Sequence, residues 1–105
     1  MTTKSKSVIV EVSPKELKRL LESKEDFFLI DVREPEEHEE GHIRRSLLIP
    51  LQTLAEKIKG IKKDKPVVLY CHMGPRSRAA CEILQELGYT NVKVLKGGFE
   101  KWGKE

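Results

Sequence analysis

The sequence predicts an α/β fold in which a five-stranded parallel sheet is covered by helices on both faces. Three observations predict it. Short apolar runs alternate with helix-like stretches along the whole chain. Two of those runs, Phe27 to Ile30 and Val67 to Tyr70, are continuously apolar, as strands covered on both faces should be. The connections are short, which suits repeated β–α units feeding one parallel sheet.

Taken in order, Val8 to Val12 reads as the first strand. Ser13 then caps a helix, with Pro14 in its first position, Glu16 completing a capping box, and Leu17, Leu20 and Leu21 on its inner face. Phe27 to Ile30 is the second strand. After Asp31-Val32-Arg33 comes a short acidic helix from Pro35 to Glu40, stopped by Gly41. Leu47 to Ile49 forms a third strand. Leu51 to Ile58 forms a helix with Leu51, Leu54, Ala55 and Ile58 as its apolar face.

Pro66 to Tyr70 is the fourth strand. The next helix runs from Arg78 to Leu87, burying Ala80, Ile83, Leu84 and Leu87, with Gly88 as its stop. Asn91 to Leu95 is the fifth strand, and Gly97-Gly98 opens a last short helix carrying Phe99 and Trp102. There is no internal repeat, no low-complexity segment and no linker.

Length and composition bound the function. A chain of 105 residues builds one domain, with residues 1–7 expected to be a flexible N-terminal tail. Hydrophobic residues make up 38% and charged residues 35%, as in soluble globular proteins. No apolar run approaches the roughly 20 residues needed to cross a bilayer. The polar N-terminus has no signal-like hydrophobic region, so a cytoplasmic location is expected. A net charge of +3 is too small to argue for nucleic acid. The lysine-rich stretch from Lys57 to Lys65 contains no aromatic residue and reads as a solvated loop. Two cysteines make neither a disulfide framework nor a zinc site; they suit a reducing compartment with a working thiol.

That thiol is placed by the loop Cys71-His72-Met73-Gly74-Pro75-Arg76-Ser77. It follows a strand and precedes a helix, so loop N–H groups can converge on the sulfur while the helix's positive end favours charge there. Gly74 permits a sharp turn, Pro75 stiffens it and removes a donor, and Ser77 is expected to cap the helix. Arg76 has two readings: it holds the anionic part of a substrate, or it pairs with a carboxylate at the loop base. Asp31 also ends a strand, and ligands of parallel sheets sit at the carboxyl ends, so Asp31 and Cys71 are expected to face one site.

Several motifs together resemble the rhodanese family. Asp31-Val32-Arg33-Glu34-Pro35-Glu36-Glu37 followed by Gly41-His42-Ile43 resembles its first signature. Pro66 through Cys71, with Gly74 and Arg76-Ser77, resembles its active-site loop, and Gly97-Gly98 with Trp102 its closing signature. The resemblance spans Val10 to Trp102. It implies a three-layer rhodanese fold with strand order 1-5-4-2-3. It also implies a catalytic Cys71 that carries a persulfide in a substrate cradle of His72, Met73, Gly74, Pro75, Arg76 and Ser77. Asp31 and Arg33 are then supporting residues that tie the second strand's end to the loop, and His42 is a hydrogen-bonded turn residue. No metal and no organic cofactor is expected.

Loop length bears on the chemistry. Four residues separate Cys71 from Arg76. Loops resembling those of cysteine phosphatases are one residue longer and cradle a tetrahedral phosphate. The shorter loop favours a sulfurtransferase over a phosphatase or arsenate reductase. The expected donor is a small sulfur anion such as thiosulfate or a polysulfide, and the acceptor a thiol, a protein cysteine, or cyanide in an assay. A relay that accepts persulfide from a protein partner is the alternative. The chain is expected to be a monomer or weak dimer without nucleic-acid or membrane partners.

Two further residues each have two readings. His72 either points its ring to solvent or titrates beside the donor, and Cys81 is either a packed core thiol or one that resolves Cys71. The chain departs from the family at His38, where an aromatic is usual, at Arg45, where glycine is common, and at Leu48, where asparagine is common. If Arg44 and Arg45 point inward, they alter the pocket rim.

Overall fold

In the computed structural model residues 8–103 are described, so the expected tail over residues 1–7 lies outside the described residues. The elements run β1 (Val10–Val12), α1 (Pro14–Glu22), β2 (Phe28–Asp31), α2 (Pro35–Glu40), β3 (Leu47–Leu48), α3 (Leu54–Lys57), β4 (Val67–Tyr70), α4 (Pro75–Glu86), β5 (Val92–Leu95) and α5 (Gly98–Lys101). All strand pairs are parallel, in the order β1-β5-β4-β2-β3. This is the sheet implied by the resemblance.

Side-chain alternation along the central strands sorts the core into two layers. Val67, Leu69 and Cys71 join Ile30, Val32 and Val94 under α3 and α4, where Leu54, Ala80, Cys81 and Leu84 close the packing. Val68 and Tyr70 join Leu29, Leu95 and Ile43 on the other face, under Leu17 and Leu21 of α1 and against Phe99 and Trp102 of the α5 region. β4 is buried at every residue, which explains its unbroken apolar sequence. One consequence governs the site: Cys71 and Tyr70, adjacent in sequence, face opposite layers.

Local chemistry sets the helix ends. At α1 the Ser13 hydroxyl accepts the Glu16 N–H at 3.1 Å, and the Glu16 carboxylate accepts the Ser13 N–H at 3.1 Å, closing the capping box. α4 starts three residues earlier than expected. Pro75, whose fixed φ suits the first helical position, follows Gly74 at φ 134°. Ser77 is therefore not the cap but a residue of the first turn.

The helix expected over Leu51 to Ile58 is broken. α3 is a single turn flanked by 3-10 turns at Leu51–Thr53 and Ile58–Gly60. Ala55 is exposed there, because a residue next to the buried Leu54 turns off the inner face. The end of this stretch is held from a distance: the Tyr89 hydroxyl reaches the carbonyls of Ile58 at 3.0 Å and Ile61 at 2.6 Å. Tyr89→Phe should therefore cost about 1–2 kcal/mol. An unchanged midpoint in chemical denaturation would contradict that role.

Candidate active site

β4 delivers Cys71 into the layer under α4, fully buried. Its Sγ accepts the Gly74 N–H at 3.0 Å and the Ser77 N–H at 3.3 Å. The thiol hydrogen has Ser77 Oγ as its acceptor at 3.6 Å, and the Ser77 hydroxyl donates in turn to the Gly74 carbonyl at 2.9 Å. Pro75 has no N–H to give. Two backbone dipoles and the positive end of a 12-residue helix therefore converge on one sulfur.

The back of the loop is clamped by α5. The Phe99 N–H donates to the Cys71 carbonyl at 2.8 Å, and the Glu100 N–H to the His72 carbonyl at 2.9 Å. Gly98 makes this approach possible. Its φ is 66°, and a Cβ there would lie 2.8 Å from the Cys71 oxygen and 2.7 Å from the His72 carbonyl carbon. Gly98 of the closing motif is thus a seat for the Cys71 loop.

Asp31 lies on the opposite face from Cys71, so the two do not converge on one site. Asp31 is the register partner of Tyr70 and shares its side of the sheet. Its carboxylate accepts from Arg33 Nε at 2.9 Å, Arg33 Nη2 at 2.8 Å, the Arg33 backbone N–H at 3.0 Å and the Tyr70 hydroxyl at 3.0 Å. His38 Nδ1 is a further partner at 2.8 Å. Burial pushes this carboxyl up, but the bonds from Arg33 and His38 outweigh it and hold it below its usual range.

Arg33 also donates to the Gly41 carbonyl at 2.7 Å and lies over the Phe99 ring at 4.5 Å. The tie from Asp31 and Arg33 to the loop therefore runs through Tyr70 and Phe99, with no direct hydrogen bond to residues 71–77.

Arg76 forms a two-pronged pair with Glu37, Nη1 to Oε1 at 2.8 Å and Nη2 to Oε2 at 3.0 Å. Of its two readings, the structure shows the carboxylate pair. Those bonds hold the Glu37 carboxyl down at about 2. Sequence reasoning missed Glu37 as a site residue, although it stands in the first signature motif and one of the two readings of Arg76 pairs it with a carboxylate.

The His72 ring is half-exposed and faces Glu100 at 3.5 Å. Met73 is 61% exposed. His42 is exposed, with Nδ1 at 2.8 Å from the His38 carbonyl and its ring stacked on His38 at 3.7 Å.

Arg44 and Arg45 do not form the rim. Both reach the Leu21 carbonyl near the end of α1, at 3.5 Å and 3.4 Å, and Arg45 lies over the Phe27 ring. Arg45 takes φ 72°, which explains why glycine suits that position. Cys81 is carried by α4 into the core, and burial pushes its thiol up.

A cavity of about 320 Å³ opens beside the loop, lined by Arg33, Glu37, Glu40, Gly41, His72 and Phe99. A larger concavity of about 470 Å³ lies along β1 and α1, and none of the loop residues lines it. Among the described residues no group of three or more His, Cys, Asp or Glu is placed to hold a metal. No described helix is long and apolar enough to cross a membrane.

The chain is similar in sequence and in fold to known proteins. A family profile described as a rhodanese-like domain matches residues 13–105. The chain is 35% identical over 97 residues to a sulfurtransferase of Allochromatium vinosum, covering 92% of this chain and 91% of that one. It is 38% identical to the thiosulfate sulfurtransferase GlpE of Coxiella burnetii, covering 78% of this chain and 77% of that protein. The human single-domain sulfurtransferase TSTD1 superposes with a TM-score of 0.85 at 28% identity, covering 93% of this chain and 98% of that one.

Two predictions follow from the clamp and the ion pair. Gly98→Ala should lower unfolding stability by about 1–3 kcal/mol, because the new methyl group strains the backbone and pushes the loop away; a variant as stable as the parent in a denaturant titration would refute the seat. Glu37, depressed from 4.5 to about 2, contributes stability that is full above about pH 4.5 and is lost as pH falls toward 2. The stability gap between the parent and Glu37→Gln should therefore be constant from neutral pH down to about 4.5 and narrow below it. A gap that persists to pH 2 would contradict the pairing.

Proposed function

Because this chain belongs to the rhodanese-like domain family, we propose that it is a sulfurtransferase that carries sulfane sulfur on Cys71 as a persulfide. The convergence of the Gly74 and Ser77 N–H groups on Cys71 Sγ is the observation that carries the reading. A donor presents its outer, zero-valent sulfur, as in thiosulfate, a polysulfide or a thiol persulfide. Cys71 as thiolate attacks that sulfur; the Sγ–S bond forms, the donor's S–S bond breaks, and its electron pair leaves with the remaining sulfite or thiolate.

The outer sulfur of the resulting persulfide bears the negative charge beside the loop amides and the start of α4, which are fixed in place before the reaction. A nucleophilic acceptor, cyanide in an assay or a thiol or protein cysteine, then attacks the outer sulfur and regenerates the Cys71 thiolate. A relay between protein partners uses the same two steps and differs only in what enters the cavity. The phosphatase reading is disfavoured by loop length and by Arg76, whose two prongs are held by Glu37 rather than turned to a phosphate cradle.

Incubation with excess thiosulfate or polysulfide should add one sulfur to the intact mass, removable by dithiothreitol. Cys71→Ser should stay at its unmodified mass, and Cys81→Ser should load as the parent does. An adduct that survives Cys71→Ser would refute the assignment.

A further inference from the structure

The charged side chains at the mouth of the site are committed to one another. An unpaired cation at the mouth would favour a dianionic donor such as thiosulfate by holding its leaving sulfite. Two arginines stand at or beside the cavity, and neither is available. Arg33 is buried, with its guanidinium shared between Asp31 and the Gly41 carbonyl and one face on Phe99. Arg76 gives both prongs to Glu37.

Around them Glu40 lines the same cavity and Glu100 faces the ring of His72. Each arginine is thus held by a carboxylate, Arg33 by Asp31 and Arg76 by Glu37, and the lining that a donor's leaving part would touch, with Glu37 and Glu40 against Arg33, is negative.

We propose that the Glu37–Arg76 pair sets the charge preference of this site, so that it loads faster from a thiol persulfide with a cationic group near the leaving sulfur than from an anion of the thiosulfate type. The proposal rests on the Cys71 persulfide reading and narrows its donor. In the step, Cys71 thiolate attacks the outer sulfur of R–S–SH and the Sγ–S bond forms. The donor's S–S bond breaks, and R–S⁻ leaves with the electron pair and takes a proton from water. No oxidant or reductant is consumed. The acidic lining attracts the ammonium of such a donor, whereas an anionic donor must approach against Glu37 and Glu40. Glu37 is a positioning residue here: it acts by occupying Arg76.

The test uses two persulfides with the same two-carbon chain and opposite charge, made from 2-aminoethanethiol and from 2-mercaptoethanesulfonate, with thiosulfate as a third donor. Single-turnover addition of sulfur to Cys71 is followed by intact mass. Each rate is divided by that donor's rate with free 2-mercaptoethanol, which removes intrinsic reactivity.

The parent should load from the ammonium persulfide at least about tenfold faster than from either anion, and added salt should shrink the ratio. Glu37→Gln releases Arg76 and should bring the ratio close to one by raising the anionic rates. Glu40→Gln, at an exposed position outside the pair, should lower the ratio part of the way. Equal parent rates, faster anionic loading, or a ratio untouched in Glu37→Gln would each overturn the proposal. Loading from none of the donors would instead refute the persulfide reading on which it stands.

Discussion

The buried carboxylate of Asp31 is the constraint on which the site depends. It ends β2 on the face of the sheet opposite Cys71 and accepts hydrogen bonds from Arg33 and Tyr70, with His38 Nδ1 at 2.8 Å. A lone carboxylate at that depth would be strongly destabilising; with these partners it becomes a joint between β2, α2 and β4. Tyr70 is the last residue of β4, so fixing its hydroxyl fixes the strand from which Cys71 emerges. Arg33, held by the same carboxylate, lies over Phe99, whose N–H grips the Cys71 carbonyl. The carboxylate never meets the sulfur, yet both routes that position the sulfur begin from it.

The geometry that results separates support from chemistry. One face of the sheet carries the polar joint, and the other carries the thiol. α5 crosses between them by binding the carbonyls of Cys71 and His72, and only glycine fits at Gly98. The loop is therefore held from behind by two backbone bonds and presents its own amides forward to the sulfur. Such preorganised donors stabilise charge on sulfur without reorganising during transfer. Cation chemistry is spent on structure, since Arg33 and Arg76 are both engaged by carboxylates.

Much of this was legible in the residues. The alternation of apolar runs and helices gave the layers, because strands covered on both faces must be apolar throughout, as β4 is. Ser13, Pro14 and Glu16 announced α1 through chemistry confined to four adjacent positions. The Cys71 loop was legible because its glycine, proline and arginine are out of place in a core strand.

What escaped depends on side chains far apart in sequence. That Glu37 answers Arg76, that Tyr89 holds the carbonyls of Ile58 and Ile61, and that Arg44 and Arg45 turn toward Leu21 are outcomes of packing. No spacing encodes them. The start of α4 was misplaced because Ser77 looks like a cap, whereas Pro75 after a left-handed Gly74 is the stronger start. Asp31 and Cys71 were expected to share a site because both end strands, but side-chain parity along β2 and β4 puts them on opposite faces.

A crystal structure of the protein after sulfur loading tests the account most directly. One additional sulfur should be bonded to Cys71 Sγ, with the loop amides of Gly74 and Ser77 pointing at the sulfur pair and Arg76 still paired with Glu37. Added sulfur on Cys81 in place of Cys71, or an unbonded anion gripped by an Arg76 freed from Glu37, would contradict it.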